Sequence, residues 1–284
     1  MRIINKKSVP FLILLVIHSF LIVLSFYKSK DKKATAILLG SMMGFAYLLE
    51  FFVLNLFKSY KYKPKVVKNN DLDNVIGGFL SQSIFIPFTA VYLTITKAGW
   101  GKKIFGGIYF SLVELVFLRL GVYKHNWWRT IYTFFLLPIY FLISDYWYDL
   151  IAKKQVAIRK ISFFLMIMVT ETNILLLLAL LRKIRSGWGR YHGWTEHFII
   201  TPLYSITISL FTYFNLIKEN SGWAKVRILL FDGCLLQIFN KVKIIKTKIN
   251  LFNFILIKAA AVYIYGIYRK WINADMAKGI NIRK

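Results

Sequence analysis

Acidic residues are scarce in this chain of 284 residues: 12 Asp+Glu stand against 39 Lys+Arg, for a net charge of +27. Cysteine is nearly absent. The single Cys234 excludes an intrachain disulfide and a cysteine-based zinc site. The four histidines, His18, His125, His192 and His197, form no ligand motif. "YHGWTEH" (191–197) brings His192, Glu196 and His197 close in sequence. It is not HExxH, and an i, i+5 spacing does not align two ligands on one helix face. No metal and no cofactor is therefore expected. "GWGKK" lacks the spacing of a Walker phosphate loop, and "GIYFSLVE" is not the G-x-S-x-G of a hydrolase. A low-complexity tail and a soluble domain are missing too.

Apolar residues are what is abundant. Hydrophobic side chains make up 57% of the chain and charged ones 18%, with a mean hydropathy of +0.54. The excess is concentrated in long runs such as "VPFLILLVIHSFLIVLSFY" (9–27) and "ATAILLGSMMGFAYLLEFFVLNLF" (34–57). Each exceeds the roughly 18 residues that suggest a bilayer span. The class expected is an all-α integral membrane protein, a polytopic helical bundle. The first run lacks a small-x-small cleavage site and reads as a retained span. Richness in Lys, Ile, Asn and Phe suits an AT-rich bacterial genome, and the expected location is the cell membrane.

The positive charge fits lipid better than nucleic acid. Basic residues lie between the apolar runs, where each Lys or Arg near an anionic headgroup contributes on the order of 1 kcal/mol. Anionic headgroups are the expected partner.

The pattern predicts nine helices, at 9–27, 34–57, 75–96, 103–121, 128–150, 161–181, 197–217, 226–240 and 249–271. The eighth is short and carries Asp232 and Gln237. With nine spans, 19 basic residues fall on each side and Lys258 lies inside a span. The excess of Lys and Arg that normally sets orientation is thus nil.

Four residue pairs recur at an offset of 123: Asp73 with Glu196, Phe88-Thr89 with Phe211-Thr212, Gly99-Trp100 with Gly222-Trp223, and Tyr140 with Tyr263. Glu50 and Glu171 differ by 121. These matches predict a tandem repeat of two parallel four-helix units. Residues 1–33 then form a separate N-terminal helix and loop, 34–152 the first unit and 153–284 a degenerate second one. Pro87 and Pro202 do not fall at the offset and read as packing kinks.

"LVELVFLRLGVYKHNWW", preceded by "IPFTAVYLTITKAGWGKKI", resembles a family of small, uncharacterised multipass membrane proteins from spore-forming Gram-positive bacteria. The features that carry the likeness are Pro87, Gly99, Trp100, Lys102, Lys103, Glu114, Gly121, His125, Asn126, Trp127 and Trp128. They cover about residues 40 to 150. The resemblance implies a multipass architecture and no particular activity. The second half departs from it, with Gln237 where Glu114 maps and Lys248 where His125 maps.

Ionisable groups inside spans are costly and face a bundle interior, a partner or a water path. Glu50, Glu114, Glu171, Asp232 and Lys258 are those groups, and a pairing of a glutamate with Lys258 is expected. Glu114 reads as near mid-span. Gly121 can end its helix, and His125 returns to Glu114 only if the chain turns back tightly. Trp127, Trp128, Arg129 and Trp147 read as interfacial anchors, with Asp145 and Asp149 at the water boundary.

Two functions remain open. A protein that binds or moves a small solute or lipid needs a polar cavity lined by Glu114, Glu171 and Lys258. A membrane-embedded enzyme acting on a lipid or isoprenoid needs several polar groups converging at one interface, with Glu114 and His125 within about 3 Å or bridged by one water. A blander assembly subunit needs carboxylates buried without a cavity.

Overall fold

A computed structural model describes residues 5–188, 192–219 and 221–273. The chain divides into two units, 1–153 and 154–284. Among the described residues the first holds α1 (Val9–Lys28), α2 (Lys32–Leu56), β1 (Tyr60–Tyr62), α3 (Asn70–Ile95), α4 (Trp100–Arg119), β2 (Tyr123–His125) and α5 (Thr130–Ala152). The second holds α6 (Val156–Leu180), β3 (Ile184–Ser186), α7 (Trp194–Lys218), α8 (Gly222–Lys241), β4 (Ile245–Thr247) and α9 (Leu251–Asn273). From α2 onward each unit runs helix, strand, two helices, strand, helix. The leading helix α1 belongs to the first unit and packs against α3.

All nine expected helices form. Seven of them, α1, α2, α3, α5, α6, α7 and α9, are long and apolar enough to cross a bilayer, which makes this a multi-pass membrane architecture. The two others, α4 and α8, have 20 residues each but carry more charge. Lys102, Lys103, Glu114 and Arg119 lie on α4, and Lys225, Arg227, Asp232 and Lys241 on α8. The eighth helix is longer than the pattern suggested, because Ser221 caps it by accepting the N–H of Ala224. The helices carry a broad apolar exterior. Val16, Phe20, Val23, Phe105 and Phe252 are all more than 60% exposed, which suits a lipid solvent and not water.

Local chemistry sets the helix ends. Asp31 caps α2 through Ala34 N, and Asn69 caps α3 through the N–H groups of Asp71 and Leu72. Within α3 a π-helical turn over Leu80–Phe85 lies just ahead of Pro87, whose missing N–H breaks the ladder. A second π-helical turn, Phe51–Leu56, ends α2. Gly107 lets α4 and α5 approach closely, since a Cβ there would lie 2.8 Å from Pro138 Cγ and 3.0 Å from the Phe134 carbonyl oxygen. Gly121 turns the chain out of α4 at φ +64°, where glycine carries no steric cost.

The strands are the unexpected elements. β1 pairs antiparallel with β2, Tyr60 opposite His125 and Tyr62 opposite Tyr123. β3 pairs likewise with β4, Ile184 opposite Thr247. Three-residue strands are too short for alternation to mark them in sequence. The first core gathers Phe11, Tyr60, Tyr62, Phe110, Phe117, Tyr123 and Phe141, and the second Leu175, Ile184, Tyr204, Ile208, Leu236 and Phe254.

Candidate functional site

The turn after α4 is tight. Gly121 reverses the chain, β2 returns along β1, and His125 Nε2 meets Glu114 Oε1 at 2.7 Å. Two hydroxyls from the first turn of α5 complete the carboxylate: Thr130 donates to Oε1 at 2.8 Å and Thr133 to Oε2 at 2.5 Å. Thr133 in turn accepts the Trp128 indole N–H at 2.9 Å. Three donors from two elements hold a side chain only 9% exposed, while His125 stays 22% exposed. Glu114 does not lie at mid-span. Its helix begins at Trp100 and ends at Arg119, which places it about a turn and a half from the C-terminal end of the helix.

A second carboxylate lies close by. Glu50 Oε2 accepts the Tyr60 O–H at 2.5 Å and the Gln82 amide at 3.1 Å. Its Oε1 is buried without a hydrogen-bond partner and packs on Gly78, where a Cβ would come within 2.8 Å of it. Burial, and then the nearby Glu50 charge, hold the Tyr60 phenol well above its ordinary titration range, so it stays a donor. Tyr60 also stacks edge-on to Trp128, 5.4 Å between ring centroids, and links the two carboxylate groups.

Between these groups lies a cavity of about 130 Å³. Its wall is mostly aliphatic and aromatic, from Phe11, Leu14, Phe85, Phe110, Phe117 and Leu137. Glu114, Thr133, Gln82, Tyr60, Tyr123 and Trp128 also line it. All of its lining belongs to the first unit. Thr130, Thr133, Tyr60 and Gln82 are partners that sequence reading missed. The signals were present: a T-x-x-T spacing sets two hydroxyls on one helix face, and Tyr-Lys-Tyr alternates within a basic linker.

The other cluster residues act on the backbone. Asn126 Nδ2 donates to the Lys58 carbonyl at 2.5 Å, and Trp127 Nε1 to that of Phe57 at 2.8 Å. The backbone N–H groups of Asn126, Trp127 and Trp128 converge on Ser59 O. They fasten β2 to the end of α2. Arg129 is the N-cap residue of α5. Trp147 packs edge-on to Phe45, and Asp145, read as a water-boundary residue, pairs instead with the buried Lys103 and accepts from Thr94.

Glu171 and Lys258 do pair, but apart from Glu114. Lys258 donates to Glu171 Oε2, lies 3.2 Å from Asp232 Oδ2, and Tyr265 donates to Glu171 Oε1 at 2.7 Å. All four groups belong to the second unit, and these contacts lie within it. Thr247, not Lys248, faces Ile184 as His125 faces Tyr60.

The histidine-rich turn is held structurally. Glu196 accepts the N–H of Gly193, and His197 Nδ1 accepts that of Ser186 at 2.9 Å. Tyr191 lies outside the described residues. Among the described residues no three His, Cys, Asp or Glu side chains are arranged to hold a metal. His18, fully buried in α1, bonds Leu14 O through Nδ1 at 2.6 Å and leaves Nε2 without a hydrogen-bond partner. Compared with known protein families, curated proteins and solved structures, the chain matches none.

Proposed function

We propose that this chain is a multi-pass protein of a bacterial cell membrane whose first unit binds a small amphiphile or lipid, its polar head at Glu114 and its first carbons in the adjoining cavity. The observation that carries this reading is a carboxylate in the lining of a mostly apolar cavity. A carboxylate has about four lone-pair sites, and three are used. The site left on Oε2 favours a ligand that donates, an alcohol or amine, over an acid. The volume approaches the roughly 150 Å³ of a cavity that admits benzene, so it suits one isoprene-sized segment, with any longer chain passing into the bilayer. Basic linkers meet anionic headgroups.

The test uses the protein in nanodiscs with a long-chain alcohol carrying a photoactivatable diazirine near its hydroxyl, and the matching fatty acid as control. Preferential labelling of peptides holding Phe110, Phe117 and Leu137 by the alcohol, reduced in Glu114→Gln, supports the reading. Labelling spread over the lipid-exposed faces and equal for alcohol and acid would defeat it.

A second reading, a membrane-embedded enzyme on a lipid or isoprenoid, draws on the Glu114–His125 contact. A carboxylate bonded to one imidazole nitrogen fixes the tautomer and leaves the other to move a proton. It requires turnover that His125→Ala abolishes. The cavity counts against a purely structural subunit.

The architecture belongs to the same proposal: nine crossings, in two tandem four-helix units. In each unit two helices lie between paired strands, α3 and α4 in the first and α7 and α8 in the second. Strands that pair occupy one side of the membrane, so the helices between them cross an even number of times. If α3 and α7 cross, α4 and α8 cross back. Support for the duplication comes from the shared element order. It comes also from Asp73 and Glu196, which both sit in the first turn of a helix and accept backbone N–H groups from the preceding loop. The likeness to small multipass proteins of spore-forming bacteria fits a unit of this length.

A further inference from the structure

The second unit holds ionisable groups that lipid binding in the first does not use. Lys258 on α9 is fully buried between Glu171 on α6 and Asp232 on α8, each no more than 1% exposed. Glu171 has a donor on each oxygen, Lys258 on Oε2 and Tyr265 on Oε1. Asp232 does not. Its Oδ2 lies 3.2 Å from the ammonium without hydrogen-bond geometry, and its Oδ1 has no hydrogen-bond partner. On α7, the Tyr204 side chain is 3% exposed, its hydroxyl is likewise unpaired, and it lies within electrostatic reach of Asp232 and Glu171. The ionisable groups about Asp232 are thus Glu171, Tyr204, Lys258 and Tyr265, drawn from α6, α7 and α9.

Counting charge decides what the cluster takes. Two carboxylates and one ammonium leave one negative charge in excess, away from water. A buried, uncompensated charge is neutralised instead of sustained. A metal ion would have to sit beside the ammonium, and it needs several ligands. A proton needs one lone pair, which Asp232 Oδ1 offers. The resulting O–H is a donor, and the Tyr204 oxygen is an acceptor left free. Glu171 already has a donor on each oxygen, which leaves Asp232 as the member with room for the proton.

We propose that Asp232 is a reversible proton-binding site in the interior of the second unit, with the Glu171–Lys258 pair as its fixed counter-charge. The exchange is simple: the carboxylate takes a proton from hydronium and returns it to water, with no other bond made or broken.

Infrared difference spectroscopy of the full chain in nanodiscs, titrated from about pH 4 to about pH 10, reads the protonated carboxyl directly. In the unmutated protein, 13C-labelling of aspartate carboxyls should shift a protonated-carboxyl band that bleaches as pH rises. Asp232→Asn should remove about one carboxyl per chain from that band, and so should Glu171→Gln, because Lys258 then has a single carboxylate to balance it. Lys258→Met should do the opposite and add about one carboxyl per chain to it. The proposal is overturned if no aspartate-derived band from a buried, slowly exchanging carboxyl is found across the range. It is equally overturned if Asp232→Asn folds, by unchanged helicity, and leaves the band intact. The isotope measurement needs no substitution, so a variant that fails to fold does not decide the matter. No first-unit group is altered, so either result leaves the lipid-binding reading to its own test.

Discussion

Glu114 shows how one side chain gathers a site. Its partners come from β2 and α5, and a hydrogen bond to a charged group contributes about 1.5–3 kcal/mol. Glu114→Gln keeps the shape and loses the charge, while His125→Ala removes one donor and leaves Thr130 and Thr133 in place. A double-mutant cycle on these two, read by thermal unfolding in detergent, should give a coupling of about 1–2 kcal/mol. Strict additivity would mean that the 2.7 Å contact carries no energy. Glu50 depends on space more than on partners. Gly78→Ala places a methyl 2.8 Å from Glu50 Oε1 and 2.9 Å from Leu54 Cδ2. Both atoms are ends of side chains that can shift, so the cost should fall at the low end of the roughly 1–3 kcal/mol typical of overpacking, and a melting temperature equal to that of the unmutated protein would refute the close fit.

The same residues mark how far sequence reading reached. A carboxylate in an apolar run, a glycine and a distant His-Asn-Trp-Trp cluster were legible as exceptional. Their meeting was not, because it turns on a three-residue strand with no periodic signature. Thr130 and Thr133 share a helix face by their spacing, and only the carboxylate within reach gives that face its role. Trp127 and Trp128 read as interface anchors, since an indole suits that boundary. Both indole N–H groups also donate within the protein, Trp127 to the Phe57 carbonyl while still 49% exposed and Trp128 to Thr133.

At the scale of elements, the α4–α5 contact rests on small residues. Gly107→Val would push against Pro138 and the Phe134 carbonyl, which cannot swing aside because it is backbone. Loss of several kcal/mol is not needed to detect it. About 1–3 kcal/mol and weaker labelling of the cavity should appear together, since α4 and α5 supply Glu114 and Thr133. The turn at Gly121 is a separate case. It meets no neighbouring atoms, so Gly121→Ala should cost only the left-handed backbone penalty, about 1 kcal/mol. Lys243, at φ +62° after α8, already bears that penalty. A much larger loss at Gly121 would point to a role beyond the turn. The two strand pairs also differ in what they carry. Tyr60 and His125 meet polar partners, whereas Ile184 lies in an apolar core with Leu236. Each unit thus has its own polar set, Glu114 with His125 and two threonines in one and Glu171 with Lys258, Asp232 and Tyr265 in the other.

At the scale of the whole molecule, membrane topology is the open quantity that strand pairing constrains. In a Cys234→Ser background, cysteines introduced singly at Lys61 and Lys124, which face each other across β1 and β2, should both react with an impermeant maleimide from one side of sealed vesicles. Reaction from opposite sides would reject the crossing of α4. Composition alone favours seven spans, because α4 and α8 carry too much charge to rank with the rest. Pairing across two intervening helices argues for nine. The charged groups of α4 are less of an obstacle than they look in sequence, since Lys103 meets Asp145 and Glu114 meets three donors.

The sequence by itself determined the solvent of this protein, the number of its helices and most of their limits. Apolar runs of bilayer length between basic linkers leave the backbone no other way to satisfy its hydrogen bonds in lipid. It also named the costly groups, because any ionisable residue in such a run stands out. Only the tertiary structure decided which of them meet. Glu114 joined His125 and not Lys258, and Lys258 joined Glu171 and Asp232. Those choices depend on strand register, on glycines that let helices touch, and on hydroxyls drawn from distant turns. Such contacts are non-local, and no local pattern of hydrophobicity or spacing encodes them.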